Sequence, residues 1–457
     1  MRNHCAAERP ALRPGKRSVP AERQCLARAP TPHPRVLARI ACGAVLVTGG
    51  VGLSPSPTMA AGFWLYEMGT PDLGTASAGR AALAKDAATV FGNPAGMTSL
   101  DRSQLLVGTQ LVVGDVHFDR GSDTTVGGGN GGNASGLIPG GSLFYAQHVT
   151  PDLKLGFWSG SYFGGALQYD DGWSGRYFGT KAELITLGAG INGAYKINDW
   201  LSIGGGPMVL YGSLEQKAAI NNVLDGGQDG SFEYDDDEVG FGGMAGIMLE
   251  PLRGTRVGVT YISPVELDFK DRLSTRNLGP TLQALKDAGV ILDGNVDLGL
   301  TVPQQVMVSA YHRLSERWAI MGNVVWQDWS AFGKPDISVA NVSNETVDLN
   351  YDDTWGFALG AQYAFAERWL WSVGGGFDTS PMSKGERSPN LPLDQQFRLG
   401  TGVQYSFNQL TVGAAYQYLN AGDADLDVER GPLAGRLEGD YESYDFHFFS
   451  LNLSWRF

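Results

Sequence analysis

The chain of 457 residues has 48 Asp and Glu against 34 Lys and Arg, a formal net charge of −14 at pH 7. Nine of the basic residues but only two of the acidic ones precede residue 61, so the remaining 25 basic and 46 acidic residues give a net charge of −21. A surface this acidic disfavours nucleic acid as a partner. No run of about 18 apolar residues follows Ala60, which excludes a helical membrane protein.

Residues 1–60 have the features of a cleaved signal peptide. The stretch RVLARIACGAVLVTGGVGL places basic residues before an apolar core, and small residues around Ala60 offer a cleavage point. A transmembrane anchor is the alternative, but the apolar run is short and interrupted by glycines. Cys5, Cys25 and Cys42 all lie in this segment, so the exported chain has no disulfide framework and no thiolate chemistry.

Residues 61–102 do not have the character of strands. The stretch GTASAGRAALAKDAATVFGNPAGM is rich in Ala and Gly and mixes short helical runs with glycine and proline breaks. Asn93 precedes Pro94, which favours a turn there. Such a segment suits compact packing inside a barrel, and we predict that it forms a hatch (plug) in the lumen.

Residues 103–457 alternate apolar and polar side chains with the period of a β-strand. Val306 and Val308 alternate with Gln305 and Ser309, and the last segment, FSLNLSWRF, has the same pattern. One apolar face and one polar or glycine face is typical of a barrel that is apolar toward lipid and polar toward its lumen. We predict an all-β fold, a transmembrane antiparallel β-barrel of about 14 strands. A propeller or a soluble sandwich is the alternative.

The connections between the predicted strands alternate between short and long. This is the pattern of periplasmic turns and extracellular loops in outer-membrane barrels. Three short turns carry Trp200, Trp318 and Trp369, as expected for an interfacial aromatic girdle. A barrel of this size has an interior that its own side chains cannot fill, so it is either plugged or an open pore.

The segment AGFWLYEMGTPDLGTASAGRAALAKDAATVFGNPAGM resembles the N-terminal hatch of the FadL/TodX family of outer-membrane long-chain fatty acid and hydrocarbon transporters. Later stretches, including RVGVTYISPVELDFKD and SLNLSWRF, are similar to strands of that family. The resemblance implies passive, hatch-gated diffusion of a hydrophobic compound across the outer membrane of a Gram-negative bacterium. It implies lateral exit through the barrel wall, no enzymatic activity and no cofactor.

The resemblance also implies roles for particular residues. Asn93, Pro94 and Ala95 are expected to form the hatch element whose movement opens the pocket, or else a turn in a static plug. Gly164 and Gly165 are expected to kink the third strand, or else to make room for the hatch.

Four apolar residues are expected to line the groove through which substrate enters, or else to pack only on their neighbours: Leu278, Leu282, Leu285 and Val290. Arg398 is a candidate partner for a fatty acid carboxylate, but an internal salt bridge to an acidic residue is the favoured explanation. Ser213 stands where an arginine is expected, which leaves neutral hydrocarbons as an alternative substrate. The resemblance adds lipopolysaccharide, outer-membrane lipid and the barrel assembly machinery as partners.

Other signals carry no chemistry. GAGING (188–193) opens no helix and so fails the context of a dinucleotide site. The acidic run 235–238 is expected to be a solvated loop, with binding of Ca²⁺ or of cations that bridge lipopolysaccharide as the alternative. The histidines after residue 60 lack metal-ligand spacing. The competing functions are an outer-membrane lipase, a structural or adhesive barrel and a hydrophilic porin.

Overall fold

The computed structural model describes residues 64–288, 294–339 and 344–457 of the chain. The predicted signal peptide, residues 1–60, lies outside the described residues. The helices are short: α1 (Arg80–Leu83), α2 (Thr89–Gly92), α3 (Pro280–Asp287), α4 (Trp329–Phe332) and α5 (Gly431–Ala434). Two 3₁₀ turns lie at Pro71–Thr75 and Pro94–Ser99. None of the helices in these ranges is both long enough and apolar enough to cross a membrane.

Strands make up most of the described chain. In chain order they are β1 (Gln104–Arg120), β2 (Leu137–His148), β3 (Leu153–Gly160), β4 (Gly164–Gln168), β5 (Lys181–Asn198), β6 (Leu201–Ile220), β7 (Gly230–Leu252), β8 (Thr255–Ile262), β9 (Val265–Arg272), β10 (Ser274–Arg276), β11 (Asn295–Val302), β12 (Gln305–Arg313), β13 (Trp318–Gln327), β14 (Asp336–Val339), β15 (Asn344–Thr346), β16 (Thr354–Ala366), β17 (Trp369–Asp378), β18 (Gln396–Phe407), β19 (Leu410–Asn420), β20 (Leu426–Glu429) and β21 (Arg436–Arg456).

Fourteen of these strands close into one antiparallel barrel. The order around the wall is β1, β2, β3, β5, β6, β7, β8, β12, β13, β16, β17, β18, β19 and β21. The last strand, β21, returns to pair with β1 from Arg456 opposite Gln104 to Gly439 opposite Arg120. The sheet is thereby closed on itself, as a sheet in lipid requires. The predicted barrel of about 14 strands is confirmed.

The two faces of the wall differ as the alternating pattern predicts. Apolar side chains are exposed on the outside, with Phe241 at 78% and Leu359 at 76% of their full accessible surface. Polar side chains such as Gln305, Ser309 and Gln417 are buried on the lumen side. This arrangement suits a wall between lipid and a polar interior.

Aromatic residues cluster at the short turns. Trp318 stacks on Tyr363 with ring centroids 4.4 Å apart, and Trp369 lies 4.7 Å from Tyr405. Trp200 is also exposed on the outer surface. These positions fit an interfacial girdle at the short-turn end of the barrel.

Residues 64–100 form the hatch and lie inside the lumen. Left-handed residues interrupt the helical runs, among them Ala76 (φ 51°) and Ala84 (φ 39°). Lumen-facing side chains hold the hatch: Asn192 donates to the carbonyl of Val90 at 2.8 Å, and Thr260 donates to Gly92 at 2.8 Å. The lumen is therefore plugged by a segment bonded to its wall.

Residues 255–269 belong to two strands, β8 and β9, and residues 297–313 also belong to two strands, β11 and β12. β8 ends before Pro264, and β12 begins after Pro303. Proline cannot donate to a strand ladder. Beyond these residues β9 and β11 form a separate sheet with β14 and β15. That sheet packs on the lumen face of β6, where a Cβ on Gly212 would lie 2.7 Å from Leu267.

Residues 215–238 belong mostly to the hairpin of β6 and β7. β6 and β7 keep their register as far as Ile220 opposite Gly230, so the acidic run 235–238 lies on a strand. The expectation of a solvated loop was wrong here, because strand pairing continues beyond the barrel wall. Asp236 is buried, and its carboxylate accepts from the backbone N–H of Lys270 at 2.6 Å.

Candidate functional site

Asn93 ties the hatch to itself and to the barrel wall. Its Nδ2 donates to the carbonyl of Ala81 at 2.7 Å and to that of Ile247 on β7 at 3.0 Å. Its Oδ1 accepts from the N–H of Ala95 at 3.1 Å, which caps the 3₁₀ turn that Pro94 begins. The side chain is fully buried, so removing it would take one donor from each of two carbonyls.

Glycines on the lumen face allow this close approach. A Cβ on Gly258 would overlap the carbonyl oxygen of Ala81, and a Cβ on Gly246 would overlap Oδ1 of Asn93. Glycines of the wall therefore contact Ala81 and Asn93 of the hatch directly. Any larger residue at either position forces the hatch away from the wall.

The third barrel strand is broken. β3 ends at Gly160 and pairs with β2 and β5, whereas β4 begins at Gly164 and pairs with β5 alone. The break lies on residues 161–163, immediately before the Gly164 and Gly165 pair. Gly164 has φ +131°, and a Cβ there would overlap the carbonyl of Leu184, so the position requires glycine.

A cavity of about 210 Å³ lies at this gap between β2 and β4. Its lining is largely apolar and includes Val112, Ile138, Phe163, Ile185, Phe446 and Phe448. Leu65 also borders it, and its N–H donates to the carbonyl of Tyr162 at 2.9 Å. We call it the wall cavity. The beginning of the hatch lies directly beside it.

A second cavity, the inner pocket, measures about 400 Å³, within the range of small-molecule pockets, about 300–1,000 Å³. Its apolar lining includes Leu184, Leu214, Leu298, Leu300, Phe332, Ile337, Leu349 and Leu391. Several of these residues belong to the small sheet that folds into the lumen. β11 and β14 of that sheet thus supply part of the pocket surface.

A third cavity, the outer groove, measures about 530 Å³ and lies among the long loops. Leu278 and Leu282 line it together with Leu433. Leu285, on the same helix, is half-buried and does not line it. Val290 lies outside the described residues.

Single layers of side chains separate the three cavities. Tyr177 faces the outer groove and Phe178 faces the inner pocket. Phe332, at the inner pocket, packs edge-on against Phe163, at the wall cavity, with centroids 5.6 Å apart. Leu184 borders both of these cavities. The three cavities thus lie in a row that leads from the outer loops to the gap in the wall.

Arg398 faces the lumen and is 3% exposed. Its guanidinium pairs with Asp378 at 2.8 Å and lies over the ring of Tyr66, 4.2 Å from the centroid. A carboxylate from outside would have to displace Asp378. The role of Arg398 as a ligand partner stays a prediction.

Sequence reasoning missed Phe178, Phe332 and Arg430. These residues sit in long connections without periodicity, and their neighbours come from distant parts of the chain. Only the aromatic content of DWSAF (328–332) and GRYFG (175–179) hinted at buried rings in loops.

Comparisons with known proteins agree with this geometry. Residues 53–457 match the profile of the family described as outer membrane protein transport protein (OMPP1/FadL/TodX). The long-chain fatty acid transport protein of Escherichia coli O6:H1 is 28% identical over 403 residues, which cover 80% of this chain and 89% of that protein. The crystal structure of a Pseudomonas aeruginosa FadL homologue aligns with a TM-score of 0.80 at 20% identity, covering 87% of this chain and all of that one. The toluene transporter TodX of Pseudomonas putida aligns with a TM-score of 0.60 at 16% identity, covering 81% and 94%.

Proposed function

The chain belongs to the OMPP1/FadL/TodX family of outer-membrane transport proteins, and from that premise we propose that it carries long-chain fatty acids or related hydrophobic compounds by passive diffusion. It resides in the outer membrane of a Gram-negative bacterium, as its family and its lipid-facing barrel indicate. Neutral aromatic or aliphatic hydrocarbons are the alternative substrates, because one structural relative is a toluene transporter.

The physical problem is the transfer of an apolar chain through a polar layer. Each methylene group that leaves an apolar surface for water costs about 0.8 kcal/mol, so a water-filled pore gives such a molecule no favourable route. The three apolar cavities offer one. The molecule is captured in the outer groove, passes Phe178 into the inner pocket and passes Phe332 into the wall cavity.

The hatch blocks a straight route down the lumen. Its bonds through Asn93 to the wall and to Ala81 hold it in place, and a local rearrangement beside Leu65 opens the inner pocket toward the gap in the wall. The molecule then leaves sideways into lipid, with no nucleotide or ion gradient.

The observation that carries this proposal is the missing pairing between β2 and β4. It coincides with an apolar cavity and with the start of the hatch. A gap in a barrel wall leaves backbone groups without ladder partners, which costs free energy. A lateral exit for substrate would explain why the barrel keeps such a gap.

The test fills the gap with a larger side chain. Ala166 is 4% exposed and lines the wall cavity, so Ala166→Trp should abolish uptake of a labelled long-chain fatty acid by cells while binding to the purified protein remains. Ala310→Trp, on the lipid-facing side of β12, is the control and should leave uptake unchanged. Normal uptake by a folded Ala166→Trp protein would exclude this exit.

Two further partners follow from an outer-membrane barrel and stay predictions. We expect the long loops to contact lipopolysaccharide. We also expect the barrel assembly machinery to recognise the terminal aromatic Phe457, whose ring centroid lies 6.2 Å from that of Tyr145.

A further inference from the structure

The three cavities differ in the charges that line them. Lys286 lines the outer groove, and the inner pocket is lined by Glu183, Glu386, Arg387 and Arg430 among others. Of the described residues that line the wall cavity, none is an Asp, Glu, Lys, Arg or His. A molecule that moves from the inner pocket to the gap in the wall therefore leaves a lining with charged groups for one without them.

The side-chain hydroxyl groups that line the wall cavity are engaged within the protein. Ser161 Oγ donates to the carbonyl of Phe163 at 3.3 Å, and Thr186 Oγ1 donates to the same carbonyl. Both hydroxyl protons are thereby used. Burying a carboxylate is costly unless it is paired with an opposite charge, and an unpaired one takes up a proton instead.

Gln110 brings a polar group without a partner to this cavity. It lies on β1 opposite Gly140 of β2, and a Cβ on Gly140 would lie 2.8 Å from Cγ of Gln110. Both residues line the wall cavity. Oε1 of Gln110 is buried and has no hydrogen-bond partner among the described residues.

The amide of Gln110 matches a neutral head better than an anionic one. A protonated carboxylic acid offers an O–H donor to Oε1 and a carbonyl acceptor to the amide N–H, and an alcohol also offers the O–H. An ionised carboxylate carries acceptors only, so it would leave Oε1 unpaired.

We propose that the wall cavity admits only molecules with an uncharged head, and that Gln110 accepts a hydrogen bond there from the O–H of a protonated fatty acid or a long-chain alcohol. This proposal rests on the proposed function and specifies the chemical state in which the cargo reaches the exit. A fatty acid takes its proton from solvent before it enters the cavity. A neutral hydrocarbon crosses without this hydrogen bond.

Photolabelling of the purified full barrel in lipid nanodiscs tests the proposal. Four probes carry the same diazirine on chains of equal length: palmitate, hexadecanol, hexadecane and the permanently anionic hexadecanesulfonate. Val112 and Phe448 report on the wall cavity, because both line it and both are buried from the surrounding lipid. Leu298 and Leu300 report on the inner pocket.

The alcohol and the alkane should label Val112 and Phe448. The sulfonate should label Leu298 and Leu300 but label the wall cavity at least about 10-fold less than the alcohol does, because its charge has no counter-charge there. Labelling of the wall cavity by palmitate should rise as the pH falls from about 8 to about 5, because the carboxyl group gains its proton.

Gln110→Leu should lower labelling of Val112 and Phe448 by the alcohol about fivefold, the value of one hydrogen bond, and leave labelling by the alkane unchanged. Gln104→Leu is the matched control. It makes the same substitution on the same strand and the same lumen face, but Gln104 lines none of the three cavities. Its labelling should equal that of the wild type.

Two results would overturn the proposal while leaving the exit route intact. One is equal labelling of the wall cavity by the sulfonate and the alcohol. The other is a Gln110→Leu protein in which alcohol labelling does not fall, or falls only as much as alkane labelling. Wild-type protein in which no probe labels either cavity would instead overturn the proposed function.

Discussion

The contact between the hatch and the wall at Asn93, Gly246 and Gly258, which we call the seam, differs from the row of three cavities in the interactions that hold it together. At the seam, lumen glycines such as Gly258 and Gly246 bring two backbones together, and Asn93 joins them by hydrogen bonds. Along the cavities, apolar side chains face one another across space that no side chain fills. Directional bonds make a seal, whereas non-directional apolar contacts leave room for a guest to replace a neighbour. Substitutions at the seam should therefore change the leakage of ions, and substitutions in the cavities should change the binding of the hydrophobic substrate.

The largest effect should come from the seam. Gly258→Ala places a methyl group on the carbonyl oxygen of Ala81, and overpacking of this kind costs about 3 kcal/mol. We expect the hatch to shift and ionic conductance in planar bilayers to rise well above that of the wild type. Gly193→Ala is the control, because only Leu155, at 3.9 Å, lies near its added methyl. Equal conductance of Gly258→Ala and wild type would show that the seam is not the seal.

A smaller effect at the same seam should follow Asn93→Ala. It leaves the carbonyls of Ala81 and Ile247 without their donor, at a cost of about 2 kcal/mol. Amide hydrogen exchange within residues 80–99 should accelerate about 30-fold, which is that free energy expressed as a rate ratio. Asn452→Ala removes a buried lumen amide that forms no hydrogen bond to the described residues, so exchange in the hatch should not change. Faster exchange in both variants would contradict a specific role for Asn93.

Among the cavities, Phe332→Ala should lower the barrier that the Phe332 ring forms between the inner pocket and the wall cavity. The Phe332–Phe163 contact is worth about 1 kcal/mol, so bound palmitate should dissociate about fivefold faster. Phe365→Ala, on the exposed outer surface, should leave dissociation unchanged. Slower release from Phe332→Ala would argue against this ring as a partition.

The smallest effect belongs to the outer groove, which is open to solvent. Leu278→Ser removes part of an apolar lining worth about 0.5 kcal/mol, so the initial rate of palmitate uptake should fall about twofold. Leu285→Ser changes a residue of α3 that lies outside the lining and should have no effect. A loss in Leu285→Ser alone would place the groove elsewhere.

The barrel wall could be predicted from the sequence because its physics is periodic. Lipid outside and a polar lumen inside impose alternation on every strand, and Val308 beside Ser309 is one visible instance. Chain order and short turns then fix which strands pair. The resemblance of residues 61–97 to the hatch of the family predicted that Asn93 belongs to the hatch.

The cavities could not be predicted in the same way. β9 leaves the barrel at Pro264. The sequence pattern does not indicate this break, because apolar and polar residues continue to alternate across the proline. The contact between Phe178 and Arg430 joins loops more than 250 residues apart in sequence. Such contacts depend on loop folding that no local period records.

We propose that the hydrophobic molecule leaves through the gap between β2 and β4. A photoreactive diazirine fatty acid, activated on wild-type protein during uptake, tests it when the labelled residues are identified by mass spectrometry. We predict labels on Ile138, Phe163 and Ile185 around the wall cavity. Labels on Asn452 and Ser454, which face the lumen on β21, with none at the gap, would contradict it.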